Sequence, residues 1–324
     1  MKILWIIQQY ASQVKAGAEI YAHNLNKYLI SKGHEVIVLV PPTYKDCIFE
    51  DVKVVTTQIK KERDALVEWS EIIMTQLGYT EITLDYINDY RPIVYVSHNT
   101  YYNDLKFLEG RDNVSIIYNS QTAKTLSPYT NNSMVLIPPQ ILKRTVKDAI
   151  NHKYITLINH SKDKGGKILK KLAKALPAYK FMAVKGGYAE QVKQPECVTV
   201  KENTNNISDI YNETRIILMP SNYESWGMVG SEALTNGIPV IASNCFGLKE
   251  NLGSAGIFCE EIEEWIKAIK LLDNPVIYKR KQEQGLLRAL ELIEQNKKEL
   301  DEAEEFMQKE IDKYQNKFIK LMYR

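Results

Sequence analysis

Cysteine is scarce and unpatterned in this chain. Its four copies, Cys47, Cys197, Cys245 and Cys259, include no CxxC pair, which argues against a zinc ribbon and a thioredoxin-type motif. Scattered thiols suit a reducing compartment and a role as small core residues. No apolar run approaches the roughly 18 residues of a membrane span. Behind Lys2 the stretch Ile3–Ile7 stops at Gln8 and Gln9, too soon for the core of a signal peptide. An excess of charge of one sign is also missing: 42 Lys and Arg stand against 40 Asp and Glu, for a net +2. That balance gives no broad attraction to nucleic acid or anionic membrane. Repeats of solenoid period, low-complexity tracts, an Asp-x-Asp pair and metal-spaced histidines are absent as well. The expected location is the cytoplasm, with at most peripheral contact at the inner face of the membrane.

What remains is ordinary globular composition, 44% apolar and 25% charged over 324 residues, enough for two cores without staples. Apolar runs at Ile3–Ile7, Val36–Val40, Val52–Val55, Glu71–Gln76, Ile93–Ser97 and Val114–Tyr118 read as buried strands. Helical periodicity separates them at Tyr21–Leu29, ended by Gly33, and near Ile82–Tyr90. Pro138 and Pro139 interrupt the series, and a second begins: strands at Tyr154–Ile158, Phe181–Val184, Val198–Val200, Ile216–Met219 and Val240–Ala242, helices at Lys167–Leu176 and Gly227–Thr235. Alternation of this kind predicts an α/β chain with parallel sheets covered on both faces. The expected domains are 1–145 and 146–305, followed by a terminal segment 306–324. From Tyr278 onward proline is absent, and Phe306, Met307, Ile311, Tyr314, Phe318, Leu321 and Met322 recur at helical spacing. This predicts one or two amphipathic helices.

The densest cluster of chemistry-bearing residues is Pro220–Gly256, PSNYESWGMVGSEALTNGIPVIASNCFGLKENLGSAG. Its first loop follows a buried strand, where ligands of open parallel sheets bind. Unpaired amides near Gly227, Met228 and Val229 would favour an anion there. Glu224 precedes the helix and Glu232 lies inside it. Eight residues correspond to roughly 12 Å along a helix, a separation that suits two carboxylates holding hydroxyls on either side of a bound diphosphate. Taken alone, an E-x7-E pair would be a loop residue and a solvated helix face. Its flanks decide otherwise. Pro220, Ser221, Glu224, Gly227, Glu232, Ala233, Gly237, Pro239, Val240, Gly247, Leu248, Glu250 and Gly256 resemble the pattern of the retaining GT-B glycosyltransferases of family 4.

That resemblance implies two Rossmann-like domains facing across a cleft, with acceptor bound by the first and donor by the second. The terminal helix would pack back on the first domain. It implies transfer from a UDP- or GDP-sugar with retention of configuration, no cofactor and no metal. Lys164, in the Lys-Gly turn before Gly165, maps onto the family's phosphate contact, while Asn159 stands where most members carry an arginine. Lys162 or Lys185 would replace that cation, or the backbone amides would carry more of the load. Gly186 and Gly187 close the next strand beside the donor. Gly17, in Ala16–Gly17–Ala18–Glu19, matches a Gly-Gly-Ala-Glu loop that offers an amide to the phosphate. His98, at a strand end, falls where the family sets a histidine against the donor sugar. Glu232 would hold the ribose and Glu224 the sugar hydroxyls. Tyr10, Tyr101 and Tyr102 could stack on an acceptor ring or serve as packing. A surface polysaccharide or glycolipid is the expected acceptor. A hydroxylated base in modified DNA is the alternative, kept open by the lysine stripe Lys167, Lys170, Lys171 and Lys174, itself read as a solvated face. A silent sugar-nucleotide-binding module and a GT-B-type epimerase are further alternatives.

Overall fold

The structure is a computed structural model, and it describes residues 1–87, 91–99, 102–111, 113–139, 145–146, 149–187, 189–204 and 206–322. The chain divides into two compact units, Met1–Gln140 with Asn296–Arg324, and Ile141–Gln295.

Unit 1 is built on β1 (Lys2–Ile6), β2 (Glu35–Val40), β3 (Cys47–Phe49), β4 (Val52–Thr56), β5 (Ile72–Gln76), β6 (Ile93–Ser97), β7 (Val114–Tyr118) and β8 (Ser133–Val135). Their order is β3-β4-β2-β1-β5-β6-β7-β8. All pairs are parallel except the β3–β4 edge hairpin. Helices α1 (Gly17–Ser31), α2 (Lys60–Trp69), α3 (Thr80–Ile87) and α4 (Gln121–Leu126) link the strands. Alternate residues serve opposite faces, as the period of two requires. Ile3 and Trp5 join Val36, Val38, Ile72 and Met74 in one core, whereas Leu4 joins Ile37, Ile73 and Tyr95 in the other. Strands buried on both faces account for the continuous apolar runs.

Unit 2 repeats the plan with β9 (Tyr154–Ile158), β10 (Lys180–Val184), β11 (Val198–Lys201), β12 (Thr214–Met219), β13 (Val240–Ser243) and β14 (Ile257–Cys259). All six are parallel, in the order β11-β10-β9-β12-β13-β14. The connecting helices are α5 (Gly166–Ala175), α6 (Ser208–Tyr211), α7 (Met228–Thr235), α8 (Phe246–Leu252) and α9 (Ile262–Leu271). On α5, Leu169, Leu172 and Ala173 are buried, while Lys167, Lys171 and Lys174 are exposed, so the lysine stripe is a solvated face. Of the four cysteines only Cys259 is buried; Cys47 and Cys197 are exposed, which corrects their reading as core residues.

A single helix, α10 (Pro275–Met322), ends the chain. Its residues pass from unit 2 to unit 1 at Asn296. The division falls at 140/141 and 295/296, where the sequence reading placed it at 145/146 and 305/306. Polar anchors explain the earlier handover. Asn296 donates through Nδ2 to the Ile137 carbonyl at 2.9 Å, and the Ile137 amide donates to Glu299 Oε2 at 2.7 Å. Ala303, Met307 and Ile311 then complete one core of unit 1. The side chains of Phe318, Leu321 and Met322 lie outside the described residues, as do Tyr101 and the side chain of Tyr102.

Candidate active site

In unit 2 the strand order reverses between β9 and β12, and ligands of open α/β sheets bind beyond the strand ends at such a point. The two loops that leave there are Asn159–Gly165 after β9 and Pro220–Gly227 after β12. They are joined. The Asn222 amide donates to the Asp163 carbonyl at 2.9 Å. Gly165, at φ +88°, lies so close that a Cβ would sit 2.4 Å from the Pro220 carbonyl oxygen. Only glycine meets both demands. This contact brings Lys164 to Glu224, Nζ to Oε1 at 2.6 Å. The Ser221 hydroxyl donates to the same oxygen at 2.9 Å. Glu224 Oε2 has no protein partner among the described residues. The Glu224 side chain is 13% exposed and that of Lys164 35%, so the pair is shielded yet reachable.

Beyond Glu224 the chain enters α7 through Gly227, at φ +82° and with no side-chain cap. The first amides of a helix lack intrahelical acceptors, and here they belong to Met228 and Val229. The loop is braced from behind. Asn251 Nδ2 donates to the carbonyls of Trp226 and Gly227 at 3.1 and 2.8 Å. Gly247 approaches until a Cβ would meet the Glu224 and Ser225 carbonyl oxygens at 2.2 and 2.5 Å. Glu232 accepts the Tyr211 hydroxyl at 2.6 Å through Oε2. Burial lifts its carboxyl above the usual range, and the Tyr211 bond opposes that lift. Because Glu224 stands in the loop ahead of α7, helical rise does not measure its distance from Glu232.

A reversal of strand order with two joined strand-end loops, as in unit 2, is an arrangement that other proteins share. Residues 163–309 match the family model described as Glycosyl transferases group 1. That stretch is similar to the glycosyl transferases of group 1. An uncharacterized glycosyltransferase of Haemophilus influenzae is 27% identical over 186 residues, covering 50% of this chain and 53% of that protein; the chain thus spans about half the length of the curated relative it matches. Among solved structures, sucrose-phosphate synthase from Thermosynechococcus elongatus superposes with a TM-score of 0.75 at 16% identity, over 90% of this chain and 95% of that one. Anabaena HepE in complex with UDP-glucose gives 0.71 at 18%, over 93% and 100%. The fold is GT-B.

Just ahead of the matched stretch, the position where the resemblance expects an arginine has another task. Asn159 holds φ +63°, which asparagine tolerates. Its Oδ1 accepts the Ser161 amide at 3.3 Å and Gln191 Nε2 at 3.2 Å. Gly186 is small because Asn159 is there, 2.5 Å from where a Cβ would stand. The Gly186 amide is taken by Gln191 Oε1 at 3.2 Å, so it is not on offer to a phosphate; Gly187 is exposed. Lys185 pairs with Glu202 at 2.6 Å, and Lys162 is exposed.

In unit 1 strand order reverses between β1 and β5. Gly17 opens α1 behind Ala16, whose extended backbone, φ −126° and ψ 173°, needs no glycine; this is why alanine fits there. His98 follows β6. Gln76 at the end of β5 donates through Nε2 to the Ala18 carbonyl at 3.1 Å, so its Oε1 is the acceptor facing His98 Nε2 at 2.9 Å. The imidazole therefore carries its proton on Nε2 and leaves Nδ1 as an acceptor. Burial lowers its pKa from 6.5 to about 3, and Tyr21 packs edge-on at 5.1 Å. Tyr10 is buried, with its hydroxyl 2.9 Å from His23 Nδ1, a packing role. Gln76, Tyr211 and Asn251 are site-shaping residues that the sequence reading missed. Among the described residues no group of three His, Cys, Asp or Glu could hold a metal, and no helix is long and apolar enough to cross a membrane.

Proposed function

We propose that the protein transfers a sugar from a UDP- or GDP-sugar to an acceptor hydroxyl, with retention of configuration, in the synthesis of a surface polysaccharide or glycolipid. The observation that carries this reading is the joined pair Lys164–Glu224 beside the uncapped entrance of α7. A diphosphate carries two negative charges where the Met228 and Val229 amides and the Lys164 ammonium are. As the bond from sugar C1 to the diphosphate oxygen breaks, these donors stabilise the charge left on the leaving group. The acceptor oxygen bonds to C1 on the same face, and its proton passes to the departing phosphate. No metal is assigned to this step. Glu224, still held by Ser221, turns Oε2 to the sugar hydroxyls. Glu232 accepts the ribose hydroxyls. His98 stays neutral and accepts a sugar hydroxyl at Nδ1; with its pKa near 3 it is no base.

The test is Lys164→Ala, titrated by calorimetry with UDP, GDP and their nucleosides. A hydrogen bond to a charged group contributes roughly 1.5–3 kcal/mol, so diphosphate affinity is expected to fall by about one to two decades. Nucleoside affinity should hardly move, and the loss should shrink as salt rises. Equal weakening of both ligands would place Lys164 elsewhere. The anomeric configuration of the product, read by NMR, tests retention.

A further inference from the structure

Unit 1 contains a cavity of about 340 Å³ that the transfer chemistry above does not use. It opens at the carboxyl ends of its strands, where Ile6 ends β1 and Val40 ends β2. Val67 of α2 and Ile82 and Tyr86 of α3 form the facing wall. Such a volume falls in the range of small-molecule sites, which combine apolar walls with a few placed polar groups. Here the placed group is Arg63, the one charged side chain of the lining among the described residues. Its guanidinium lies 5.8 Å from the centre of the Tyr86 ring, and Nη1 donates to the Gln58 carbonyl at 3.0 Å. No carboxylate pairs with it among the described residues. The neighbouring acids are engaged elsewhere: Glu62 accepts from Thr57, and Asp64 from Tyr86. Ile82 is 63% exposed, and Ile59, just ahead of α2, is 57% exposed. Apolar surface therefore continues out of the cavity onto the surface of unit 1.

An apolar chamber with a single carboxylate-free guanidinium selects against a free sugar and against a polyanionic duplex. We propose that the cavity seats the apolar segment of an anionic amphiphile, that Arg63 holds its anionic group, and that this amphiphile is the class of acceptor for the transfer, a last step that rests on the function proposed above.

Decyl phosphate, decanol and inorganic phosphate, each titrated by calorimetry into the full-length protein, test the site. Decyl phosphate is expected to bind and inorganic phosphate alone not to. Val67→Trp, which fills the chamber, should weaken decyl phosphate at least tenfold. Ile82→Asp, at an exposed position where folding is not at stake, should do likewise. Arg63→Gln should weaken decyl phosphate about tenfold and leave decanol unchanged. Absence of decyl phosphate binding, binding indifferent to all three substitutions, or equal binding of inorganic phosphate overturns the site. For the acceptor role, transfer to decyl glucosyl phosphate should exceed transfer to glucose 1-phosphate at least tenfold and fall to parity in Val67→Trp; no preference, or no transfer to decyl glucosyl phosphate, overturns that role. UDP titrated into the same protein separates the two readings. If UDP binds and decyl phosphate does not, the cavity assignment falls alone. If decyl phosphate binds and UDP does not, the transfer reading falls and the cavity stands as a binding site.

Discussion

Glu224 receives Lys164 and Ser221 on a single oxygen, so Glu224→Gln keeps the shape of the loop while removing the charge that would hold sugar hydroxyls in the transition state. Transfer is expected to fall on the order of 10²-fold or more, with UDP binding retained; near-normal turnover would show that the sugar lies elsewhere. His98 makes a prediction about stability. Its folded pKa, about 3, lies below the usual 6.5. Between those values the unfolded chain binds the extra proton, so His98 favours folding above pH 6.5 and loses that contribution as pH falls toward 3. Burial lowers His23 and His160 as well, so several imidazoles share the effect. His98→Gln should flatten the acid limb of stability against pH by up to about 1.4 kcal/mol per pH unit below roughly pH 6, read by urea denaturation from pH 7 to 5. An unchanged slope would mean that His98 titrates normally. At this scale the sequence showed which residues carry charge but not what holds them. Gln76, Tyr211 and Asn251 are lone polar residues whose partners sit far along the chain, and local pattern contains no trace of such pairings.

Between residue and fold stand the paired loops after β9 and β12. Their sequence was legible, because a Lys-Gly turn and a glycine at a helix entrance answer to local backbone demands. The role of Gly247 is different: it is the place where α8 touches the carbonyls of Glu224 and Ser225. Backbone oxygens cannot swing aside as a side chain would, so Gly247→Ala should push the loop that carries Glu224. The expected cost is about 1–3 kcal/mol, or roughly 2–4 °C of melting temperature for each kcal/mol, with transfer reduced further than stability alone explains. A melting point within a degree of wild type would show that α8 yields instead. The same logic sorts the elements that were read from those that were not. Strands buried on both faces announce themselves as apolar runs. Helix α2 buries none of its ten residues, so no stripe marks it. The edge strand β3 is three residues long and leaves Ile48 78% exposed. Helix α9 does bury a stripe, Trp265, Ala268 and Ile269, and was within reach of the pattern that revealed α5.

Across the whole molecule, α10 is the element that belongs to both units by residue assignment. Apolar spacing revealed its last turns, whereas Asn296 and Glu299 act through hydrogen bonds to Ile137 that hydropathy does not register. Farther along, Glu310 accepts from Ser115 and Asn132, each at 2.7 Å, and His34 Nε2 stands 2.9 Å from Glu304. Ala303, Met307 and Ile311 fill the core face that also holds Tyr21 and Leu25 of α1. Ending the chain after Gln295 would bare that face and strip those polar partners together. A single large-to-small change at a buried methionine costs about 2–5 kcal/mol, and whole domains hold only about 5–15 kcal/mol. The truncated chain should therefore lose the cooperative unfolding of unit 1, bind a dye for exposed apolar surface, and keep a calorimetric transition from unit 2. Met307→Ala in the full chain should lower the unit 1 transition without abolishing it. Persistence of the wild-type unit 1 transition after truncation would show that residues 296–324 decorate the first core and do not complete it.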